Sequence, residues 1–495
     1  MKQIVPYRFC MTFLLCILAS IAAPAKIFTT LVYFGGVNSA IGVIDGEDPL
    51  YISLVQGPDG NLYGTTGGGG DYQVCTAGCG TVFKVATDGV LTTLHTFKAS
   101  DGTFPHAGLT LGPDGAFYGT TYRGGASDDG TVFRITSTGN FTRLHSFDSA
   151  DGASIEAGLV QASDGNLYGT TYFGGKSAGG TVYRITPGGT LTTIYNFCSV
   201  GPNCFDGASP TASLIQATDG NLYGTTTFGG PIGHGTVFKV TLAGTLSTVY
   251  SFCAQPNCID GAGTTGGVIQ GKDGNFYGTT GGGGANDRGT VFRLTPDGQL
   301  TTIYDFCSDP NCPDGSFPYE GVIQASDGMF YGMTTQGGDM HCTLNERYGC
   351  GTVYRVSPDG DFTLLHAFGG PDGGNIVGGL FQATDGKLYG TAGEGGRFVC
   401  IGGEGCGTIF VLDLGLQPFV SLVRGSGRLG TTQHILGQGL AATTEVSFNG
   451  VPAKFWVVSD TLLKVSVPAG ATTGYITVRA SGRTLKSNKP FRVAP

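Results

Sequence analysis

A phrase of six residues, Asp-Gly-x-Leu/Phe-Tyr-Gly, recurs seven times along the chain at intervals of about 50 to 58 residues. The copies begin at Asp59, Asp114, Asp164, Asp219, Asp273, Asp327 and Asp385. A second phrase, Gly-Thr-Val/Ile-Phe/Tyr, follows each copy and begins at Gly80, Gly130, Gly180, Gly235, Gly289, Gly351 and Gly407. A fixed period of this length indicates a repeat architecture, in which each unit buries its apolar faces against its neighbours.

Each unit has the pattern of four short strands. In the third unit the pattern predicts strands at 159–162, 167–171, 181–186 and 191–197, separated by Ser-Asp-Gly-Asn, a glycine-rich stretch and Pro-Gly-Gly. Tight reversals between strands argue against a parallel solenoid. Four antiparallel strands in about 50 residues predict the blade of a β-propeller.

The two ends of the repeat region complement each other. The seventh unit has three predicted strands, at 380–382, 388–391 and 407–414, and no fourth strand follows. The N-terminal segment 27–34, Ile-Phe-Thr-Thr-Leu-Val-Tyr-Phe, matches fourth strands such as 300–306. We therefore expect an all-β fold with a seven-bladed propeller over residues 26–415, in which the N-terminal strand completes the last blade and removes an exposed sheet edge.

The two phrases stop after the seventh unit, which predicts a separate domain over residues 416–495. Its Phe448-Asn449-Gly450, Val458-Ser459-Asp460-Thr461 and the run from Val467 to Gly474 resemble the IPT/TIG immunoglobulin-like family. That resemblance implies a β-sandwich. The propeller units resemble the tandem GloVer repeat of exported bacterial proteins, over residues 27–414. Membership of that family implies export and surface display, and it implies no particular activity.

Composition and the N-terminal segment limit the fold class, the partners and the cellular location of this protein. The chain has 89 glycines and 13% charged residues, but its 40% hydrophobic content favours turn-rich β structure over disorder. A net charge of −9 argues against nucleic acid as a partner. Lys2 and Arg8 precede an apolar run at 9–23, which predicts a signal peptide spanning 1–25. The run is too short for a membrane span. We expect an exported, monomeric protein that is located outside the cell, at the cell surface or in the periplasm.

Twelve cysteines fall into six close pairs that occur or are missing together. The pairs are Cys75 with Cys79, Cys198 with Cys204, Cys253 with Cys258, Cys307 with Cys312, Cys342 with Cys350, and Cys400 with Cys406. In an exported protein this pattern predicts six local disulfides. Zinc is the alternative for Cys75 and Cys79, but no second pair stands at ligand spacing, so we expect no metal and no cofactor.

The predicted disulfides mark one side of the propeller. Three pairs lie between the second and third strands of a unit, and three lie between a fourth strand and the next first strand. Both connections emerge on the same side of an antiparallel blade. We call this side, with its long loops, the stapled face. Binding residues favour loops held by a rigid scaffold, so we expect function there.

Most repeated polar residues have a structural interpretation. The Asp-Gly pairs fit tight turns, against the alternative of repeated calcium or catalytic sites. The tyrosines of the phrase, at equivalent positions in all units, are expected to pack between blades. His95, His145 and His366 occupy the fourth-strand position that Tyr195, Tyr250 and Tyr304 take elsewhere. His106, His234 and His341 lie in predicted loops and remain open as functional candidates.

One position just after the second strand differs from unit to unit. It holds Gly68, Arg123, Phe173, Phe228, Gly282, Gln336 and Glu394. The candidate ligand site comprises five of these residues and two neighbouring tyrosines: Tyr122, Arg123, Tyr172, Phe173, Phe228, Gln336 and Glu394. The alternative is neutral drift at a loop position.

Two classes of function fit this chain. The first is a noncatalytic binding protein that holds a glycan or protein on the stapled face. The second is an extracellular polysaccharide lyase or glycoside hydrolase, which usually needs two carboxylates placed across one bond. The candidate carboxylates, Glu47, Glu156, Glu320, Glu346, Glu394 and Glu404, share no motif. An inward cluster of carboxylates in a channel favours the enzyme, and a shallow aromatic ring favours the binding protein.

Overall fold

The computed structural model describes residues 27–38, 43–73, 75, 78–342, 344, 348–400 and 405–494. These residues form β-strands and turns, with two short 3-10 helices at Pro256–Cys258 and Leu440–Ala442. Within these ranges no helix is long and apolar enough to cross a bilayer. The predicted signal peptide lies outside the described residues.

The repeat region folds into seven four-stranded antiparallel sheets, numbered here by unit. Sheets 1 to 3 consist of Val55–Gln56, Leu62–Thr66, Thr81–Val85 and Leu91–Thr96; Thr110–Leu111, Phe117–Thr121, Thr131–Ile135 and Phe141–Ser146; and Val160–Gln161, Leu167–Thr171, Thr181–Ile185 and Leu191–Asn196. Sheets 4 and 5 consist of Ile215–Gln216, Leu222–Thr226, Thr236–Val240 and Leu246–Ser251; and Ile269–Gln270, Phe276–Thr280, Thr290–Leu294 and Leu300–Asp305. Sheet 6 consists of Ile323–Gln324, Phe330–Thr334, Thr352–Val356 and Phe362–Ala367. The predicted strands are confirmed to within one or two residues.

Sheet 7 combines both ends of the repeat region. Its strands Phe381–Gln382, Leu388–Ala392 and Thr408–Asp413 are joined by the N-terminal strand Ile27–Tyr33 as the fourth strand. The N-terminal strand runs antiparallel to Thr408–Asp413, with Ile27 opposite Asp413 and Tyr33 opposite Thr408. The predicted pairing between the two ends of the repeat region is therefore present in the structure.

The chemistry of the Asp-Gly-x-Leu-Tyr-Gly phrase is clear in sheet 3. The Asp164 carboxylate accepts hydrogen bonds from the backbone and side chain of Asn166, which holds the turn. The Tyr168 hydroxyl donates to the same carboxylate at 2.8 Å. Gly165 has a φ of +90°, which favours glycine, and a Cβ on Gly169 would lie 2.5 Å from the Tyr183 hydroxyl oxygen. The Asp and first Gly of the phrase therefore form the turn, and its Tyr and last Gly pack within the sheet.

The same tyrosine–aspartate hydrogen bond is present in all seven units. The tyrosine rings also pack on the following sheet, as expected: Tyr63 stacks on Phe117 at 4.1 Å and Tyr277 on Phe330 at 4.0 Å, between ring centroids. Aromatic pairs at such separations add to the stability gained from burial alone.

Each pair of consecutive sheets shares an apolar core. Sheets 7 and 1 share one as well, in which Leu62 and Phe83 pack with Tyr389 and Ile409. These clusters contain side chains that are fully buried, such as Phe83 and Ile409. The sheets are therefore held mainly by apolar burial between neighbours.

Glutamine side chains link most neighbouring sheets at the Asp-Gly turns. In sheets 4, 5, 6, 7 and 1, the glutamine of the first strand accepts from a backbone N–H of the preceding sheet at 2.9 to 3.0 Å. The donor position holds Pro58 in unit 1 and Pro113 in unit 2, and proline has no N–H. At the glutamine position, unit 2 has Leu111, which needs no donor and lies opposite Pro58. Unit 3 has Gln161, whose buried Oε1 lies opposite Pro113 and has no hydrogen-bond partner.

Two further regions complete the fold. A small sheet of Val37–Asn38, Val43–Glu47 and Gly68–Gly70 lies beside sheet 1 and was not predicted from the sequence. The C-terminal region has two four-stranded sheets around one core. Their strands are Ser421–Leu422, Thr432–Leu436, Leu462–Ser466 and Phe455–Ser459, and Val451–Pro452, Thr443–Phe448, Ile476–Ala480 and Arg483–Lys486. A parallel pair, Ser426–Arg428 and Arg492–Ala494, joins them.

Candidate functional site

All six predicted cysteine pairs are disulfides in the structure, so the prediction of local pairing is confirmed. The bonds join Cys75 to Cys79, Cys198 to Cys204, Cys253 to Cys258, Cys307 to Cys312, Cys342 to Cys350, and Cys400 to Cys406. Each bond closes a loop within one connection between strands. Cys79, Cys342, Cys350 and Cys406 are also buried in the apolar cores between sheets. These disulfides therefore anchor their loops to the packed interior.

The two kinds of stapled loop meet on one side of the sheets. Gly230 N, after the second strand of sheet 4, donates to Cys204 O in the loop that precedes this sheet, and Gly284 N donates to Cys258 O in the same way. Gly338 N donates to Cys312 O at the corresponding place in sheet 6. Both loop types therefore lie on the same side, as predicted, and the Asp-Gly turns lie at the other ends of the first two strands.

A series of small residues brings the first strands close together. A buried Leu or Val immediately precedes each first strand, and the residue before it is Ser53, Gly108, Gly158, Ser213, Gly267, Gly321 or Gly379. A Cβ on Gly108 would lie 2.5 Å from Ser53 O, and one on Gly321 would lie 2.5 Å from Gly267 O. Side chains larger than serine do not fit at these contacts, so the sheets converge here.

The converging segments enclose a cavity of about 350 Å³, which we call the central cavity. Its wall comes from the first strands of sheets 1, 2 and 7 and from the segments that precede the first strands of sheets 1, 2, 3, 4 and 6. The lining residues are Tyr51, Ser53, Leu54, Val55, Ala107, Gly108, Leu109, Thr110, Glu156, Gly158, Leu159, Thr211, Ala212, Ser213, Glu320 and Phe381. Hydroxyl and carboxyl groups alternate with apolar side chains, and no lysine or arginine is among these lining residues.

Two of the glutamates considered from the sequence, Glu156 and Glu320, line this one cavity. Burial raises the pKa of Glu156 to about 7. Burial raises the pKa of Glu320 to about 8, although a hydrogen bond from the backbone of Gly321 acts in the opposite direction. Desolvation disfavours the charged forms of both carboxyl groups, so Glu320 is mostly protonated and Glu156 about half protonated at pH 7.

The other candidate carboxylates do not join this pair. Glu47 is buried in the small sheet beside sheet 1, where it lies opposite Gly68. Glu346 and Glu404 lie outside the described residues. Two of the six glutamates considered from the sequence therefore line the cavity.

A row of rings connects the stapled face to the cavity at sheet 2. The Arg123 guanidinium lies 5.7 Å from the centroid of the Tyr122 ring, and Tyr122 stacks on His106 at 4.9 Å. His106 in turn lies 5.6 Å from Tyr51, between ring centroids. Burial lowers the pKa of His106 to about 4, so its imidazole is neutral at neutral pH.

A second aromatic pair stands at sheet 3. Tyr172 contacts Phe173 edge to face at 4.3 Å. Burial raises the pKa of Tyr172, and the nearby Glu156 carboxyl group adds to the shift. Phe173 is 47% exposed. The pair Tyr172 and Phe173 thus leads from the surface to a wall residue of the cavity, as Tyr122 and Arg123 do at sheet 2.

The other predicted site residues lie in different surroundings. Phe228 is 51% exposed on sheet 4, and Gln336 is half-buried beside Ser316. Glu394 is buried, and its Oε1 accepts a hydrogen bond from Asn375 Nδ2 at 2.6 Å. The structure therefore groups Tyr122, Arg123, Tyr172, Phe173 and Phe228 on consecutive sheets and places the Glu394 carboxylate in the interior.

Exposed apolar side chains, in addition to Phe228, occur in several loops of the stapled face. They belong to the loops of sheets 3, 4 and 5 and are Val200, Phe205, Ile232 and Ile259. Each is between 41% and 59% exposed. Groups of exposed apolar side chains mark interaction sites on soluble proteins.

Four other histidines lie beside aspartates. His145 Nε2 lies 2.8 Å from Asp151 Oδ2 and His366 Nε2 lies 2.7 Å from Asp372 Oδ2, whereas His95 Nε2 lies farther, 3.3 Å, from Asp101 Oδ2. The equivalent tyrosines also pair with aspartates, for example Tyr250 with Asp260. His341 is exposed and pairs with Asp339.

One group of possible metal ligands occurs in the described part of the chain: His234, Cys253 and Cys258. Because the two sulfur atoms form a disulfide, they are not thiolate ligands. His234 is exposed beside this disulfide.

Two features of the site were missed from the sequence. The first is the series of small residues, although its signal, a Ser or Gly before the Leu or Val that precedes every first strand, is present in all seven units. The second is the position of Glu156 and Glu320 in the wall of one cavity, which the sequence does not signal because the two residues belong to different units.

The repeated four-stranded sheets, the disulfide-linked loops and the C-terminal β-sandwich define an all-β repeat protein with an immunoglobulin-like domain. Family comparison agrees with this class. The Gloeobacter/Verrucomicrobia repeat model matches residues 17–163 and 156–344, and the IPT/TIG domain model matches residues 418–493. The chain belongs to the Gloeobacter/Verrucomicrobia repeat family and carries a C-terminal IPT/TIG domain. No curated protein matches it.

Several solved structures are similar at low identity. A fungal alcohol oxidase of the AA5 family, in complex with copper, has 13% identity and a TM-score of 0.49, covering 94% of this chain and 98% of that one. A putative 6-phosphogluconolactonase from Bacteroides uniformis has 16% identity and a TM-score of 0.42, covering 63% and 83%. The PQQ-bound aldose sugar dehydrogenase from Streptomyces coelicolor has 15% identity and a TM-score of 0.37, covering 79% and 99%. At these values the likeness does not extend to activity.

Proposed function

We propose that the seven sheets are the blades of a closed β-propeller, over residues 26–415, followed by the immunoglobulin-like domain at 416–495. The shared cores between all consecutive sheets, including sheets 7 and 1, support this arrangement. The hydrogen bond from Thr384 N to Gln56 Oε1 adds a polar link between the last and first units. The first strands would then line a central channel, and the central cavity would be part of it.

We propose that this propeller is an exported, noncatalytic binding protein for a glycan. The observation that carries this proposal is the continuity between exposed aromatic side chains on the stapled face and a cavity lined with hydroxyl and carboxyl groups. Aromatic side chains offer flat apolar surface at low entropic cost, and a few polar groups fix the orientation of a bound ligand. The six disulfides support export, because such bonds persist in oxidising compartments.

The proposed contacts follow from position. Phe173 and Phe228 supply exposed rings on neighbouring sheets, and Arg123 supplies hydrogen-bond donors at the edge of the same surface. Within the cavity, Thr211, Ser213 and the protonated form of Glu320 can donate or accept hydrogen bonds to sugar hydroxyls. Since no lysine or arginine lines the cavity, a neutral glycan fits it better than an anionic one.

A glycan-cleaving enzyme is the second candidate, and it is favoured by one specific observation. Glu156 and Glu320 line the same cavity, and burial raises their pKa values to about 7 and about 8 respectively. Hydrolysis by two carboxyl groups needs one proton donor and one ionised partner. In this alternative Glu320 would be the acid and Glu156 the base or nucleophile, since the more buried carboxyl group keeps its proton to higher pH.

Incubation of the mature protein with a panel of neutral polysaccharides separates the two candidates. Retention without new reducing ends or unsaturated products supports binding, and products support the enzyme. For a retained polysaccharide, Arg123→Ala and Phe173→Ala should each weaken binding about tenfold, since hot-spot side chains cost about 1 to 2 kcal/mol on truncation. Arg483→Ala, at an exposed position of the C-terminal domain, is the control. Absence of both retention and products across the panel would refute a role in glycan recognition.

A further inference from the structure

The C-terminal domain contacts the Asp-Gly turns, at the ends of the first strands that lie away from the stapled face. Its Thr461 Oγ1 donates to Pro58 O at 2.6 Å, in the turn of sheet 1. Its Arg492 Nη1 donates to Thr218 O at 3.3 Å, in the turn of sheet 4. Contacts to the turns of sheets 3 and 7 come from Arg424 and from the backbone of Phe419.

Apolar burial strengthens this contact. Leu436 of the C-terminal domain is 5% exposed and belongs to the core cluster shared by sheets 1 and 2, which includes Tyr63 and Phe117. Val423 and Leu462 of the domain pack against the same cluster. The domain is therefore seated on the sheets by a packed core as well as by surface hydrogen bonds, and such burial is the main source of affinity at an interface.

The identity of the contacted sheets decides where the domain sits. In a ring of seven units, the first and fourth units lie nearly opposite each other, and the seventh and third lie nearly opposite as well. A rigid domain that touches turns on both sides of the ring must cross the ring axis between them. The turns in question lie at the ends of the innermost strands, so the domain covers the end of the channel.

We propose that the C-terminal domain closes the turn end of the channel, so that the central cavity is a blind pocket that receives the end of a glycan chain from the stapled face. This inference rests on the closed propeller and the glycan-binding role proposed above. A channel open at both ends can accept the interior of a long chain, whereas a blind pocket of about 350 Å³ accepts a terminal segment of one or two sugars.

The closed end can be tested without a glycan. Thr110 lines the cavity near the turn end, and Thr110→Cys gives a thiol that a small maleimide labels through the open end. Thr211→Trp adds a bulky side chain to the cavity wall on the stapled side and should slow labelling at least tenfold. Ser177→Trp, at an exposed loop position, is the matched control.

Circular dichroism and thermal unfolding establish that each of these variants is folded, and Glu156→Trp replaces Thr211→Trp if the latter does not fold. If Thr211→Trp changes the labelling rate of Thr110→Cys less than twofold, the cavity has a second entrance and the proposal is overturned. Failure of the maleimide to label the Thr110→Cys single variant, which has no added tryptophan, would also overturn the proposal, because the pocket would then have no entrance.

Chain-end recognition is tested separately with cello- and chito-oligosaccharides of two, four and six sugars and with the corresponding long polymers. We expect binding to the full-length protein to scale with the concentration of chain ends, so that the apparent affinity per sugar falls in proportion to length. Affinity per chain that rises with length indicates binding to chain interiors and contradicts the proposal. If none of these probes binds while the labelling result is as expected, the pocket is blind and the glycan-binding role is the part that has failed.

Discussion

Two groups of acidic residues in this chain have different environments, and the environment decides what each group can do. The aspartates of the repeated phrase, such as Asp164, are held in turns by backbone N–H groups and a tyrosine hydroxyl. Glu156 and Glu320 line a cavity without a lysine or arginine. The sequence predicts the first environment, since a turn is local. It does not predict the second, because residues from separate units meet there only through the arrangement of the sheets.

This difference gives a pH dependence of stability. The folded-state pKa values of Glu156 and Glu320, about 7 and about 8, lie above the ordinary value of 4.5, so the folded protein binds more protons than the unfolded chain. Their contribution is fully present below about pH 4.5 and is lost as pH rises through 7 to 8. His106, with its lowered pKa, acts in the opposite direction only below pH 6.5.

Between pH 6.5 and 8.5 the free energy of unfolding should therefore fall by about 2 to 3 kcal/mol, and Glu156→Gln with Glu320→Gln should remove most of that slope. Urea unfolding at each pH measures it, with the exposed Glu445→Gln as the control. Equal slopes in the parent and the double variant would contradict the placement of these carboxyl groups in a desolvated cavity.

At the level of elements, the strands were predictable and several links between them were not. Period-two patterning and turn residues located the four strands of each unit, because both signals are local. The glutamine links between sheets join residues more than 50 positions apart, as from Ser163 N to Gln216 Oε1. Only the recurrence of glutamine at the end of the first strand, in six of seven units, signalled them in the sequence.

Two of these glutamines form a matched pair for measurement. Gln216→Leu leaves the half-buried Ser163 N–H without its acceptor, and loss of such a hydrogen bond costs about 1 kcal/mol. Gln161→Leu removes an oxygen that already has no partner, because Pro113 has no N–H to donate. Both variants lose one bond from the side-chain amide to a turn carbonyl, and Gln216→Leu also loses the bond from Gln216 Nε2 to Ser163 Oγ. We expect the first variant to lower the unfolding free energy by about 1 kcal/mol more than the second, measured by urea unfolding; equal losses would refute this assignment of the hydrogen bond.

At the level of the whole molecule, the sequence predicted the two structural parts but not how they meet. Breaks in the repeat located the C-terminal domain, and its motifs identified its class. Its seat on the Asp-Gly turns depends on Arg424, Thr461 and Arg492, which follow no repeated pattern. Contacts between a repeat array and a single domain occur once, so the sequence has no periodic signal for them.

The packed interface between the C-terminal domain and the sheets predicts cooperative unfolding of the whole protein. Leu436→Ala combined with Arg424→Ala removes part of the apolar contact and one polar contact between the domain and the sheets. Calorimetry should then resolve two transitions in place of one, since a weakened interface no longer couples the two parts. Leu429→Ala, at a half-exposed position, should leave a single transition. Two transitions in the unmodified protein would contradict a tightly packed interface between the C-terminal domain and the sheets.

The prolines at positions 58 and 113 leave the glutamine links between sheets tolerant of a change in the number of repeats. Loss of unit 4 would place Gln270 opposite Ser163, where donor and acceptor match. Loss of unit 2 would place Gln161 opposite Pro58, and loss of unit 3 would place Gln216 opposite Pro113. Either loss leaves one glutamine without a donor, as Gln161 already is in the full array. Recombination that removes any one of these three units therefore creates no new mismatch at these links.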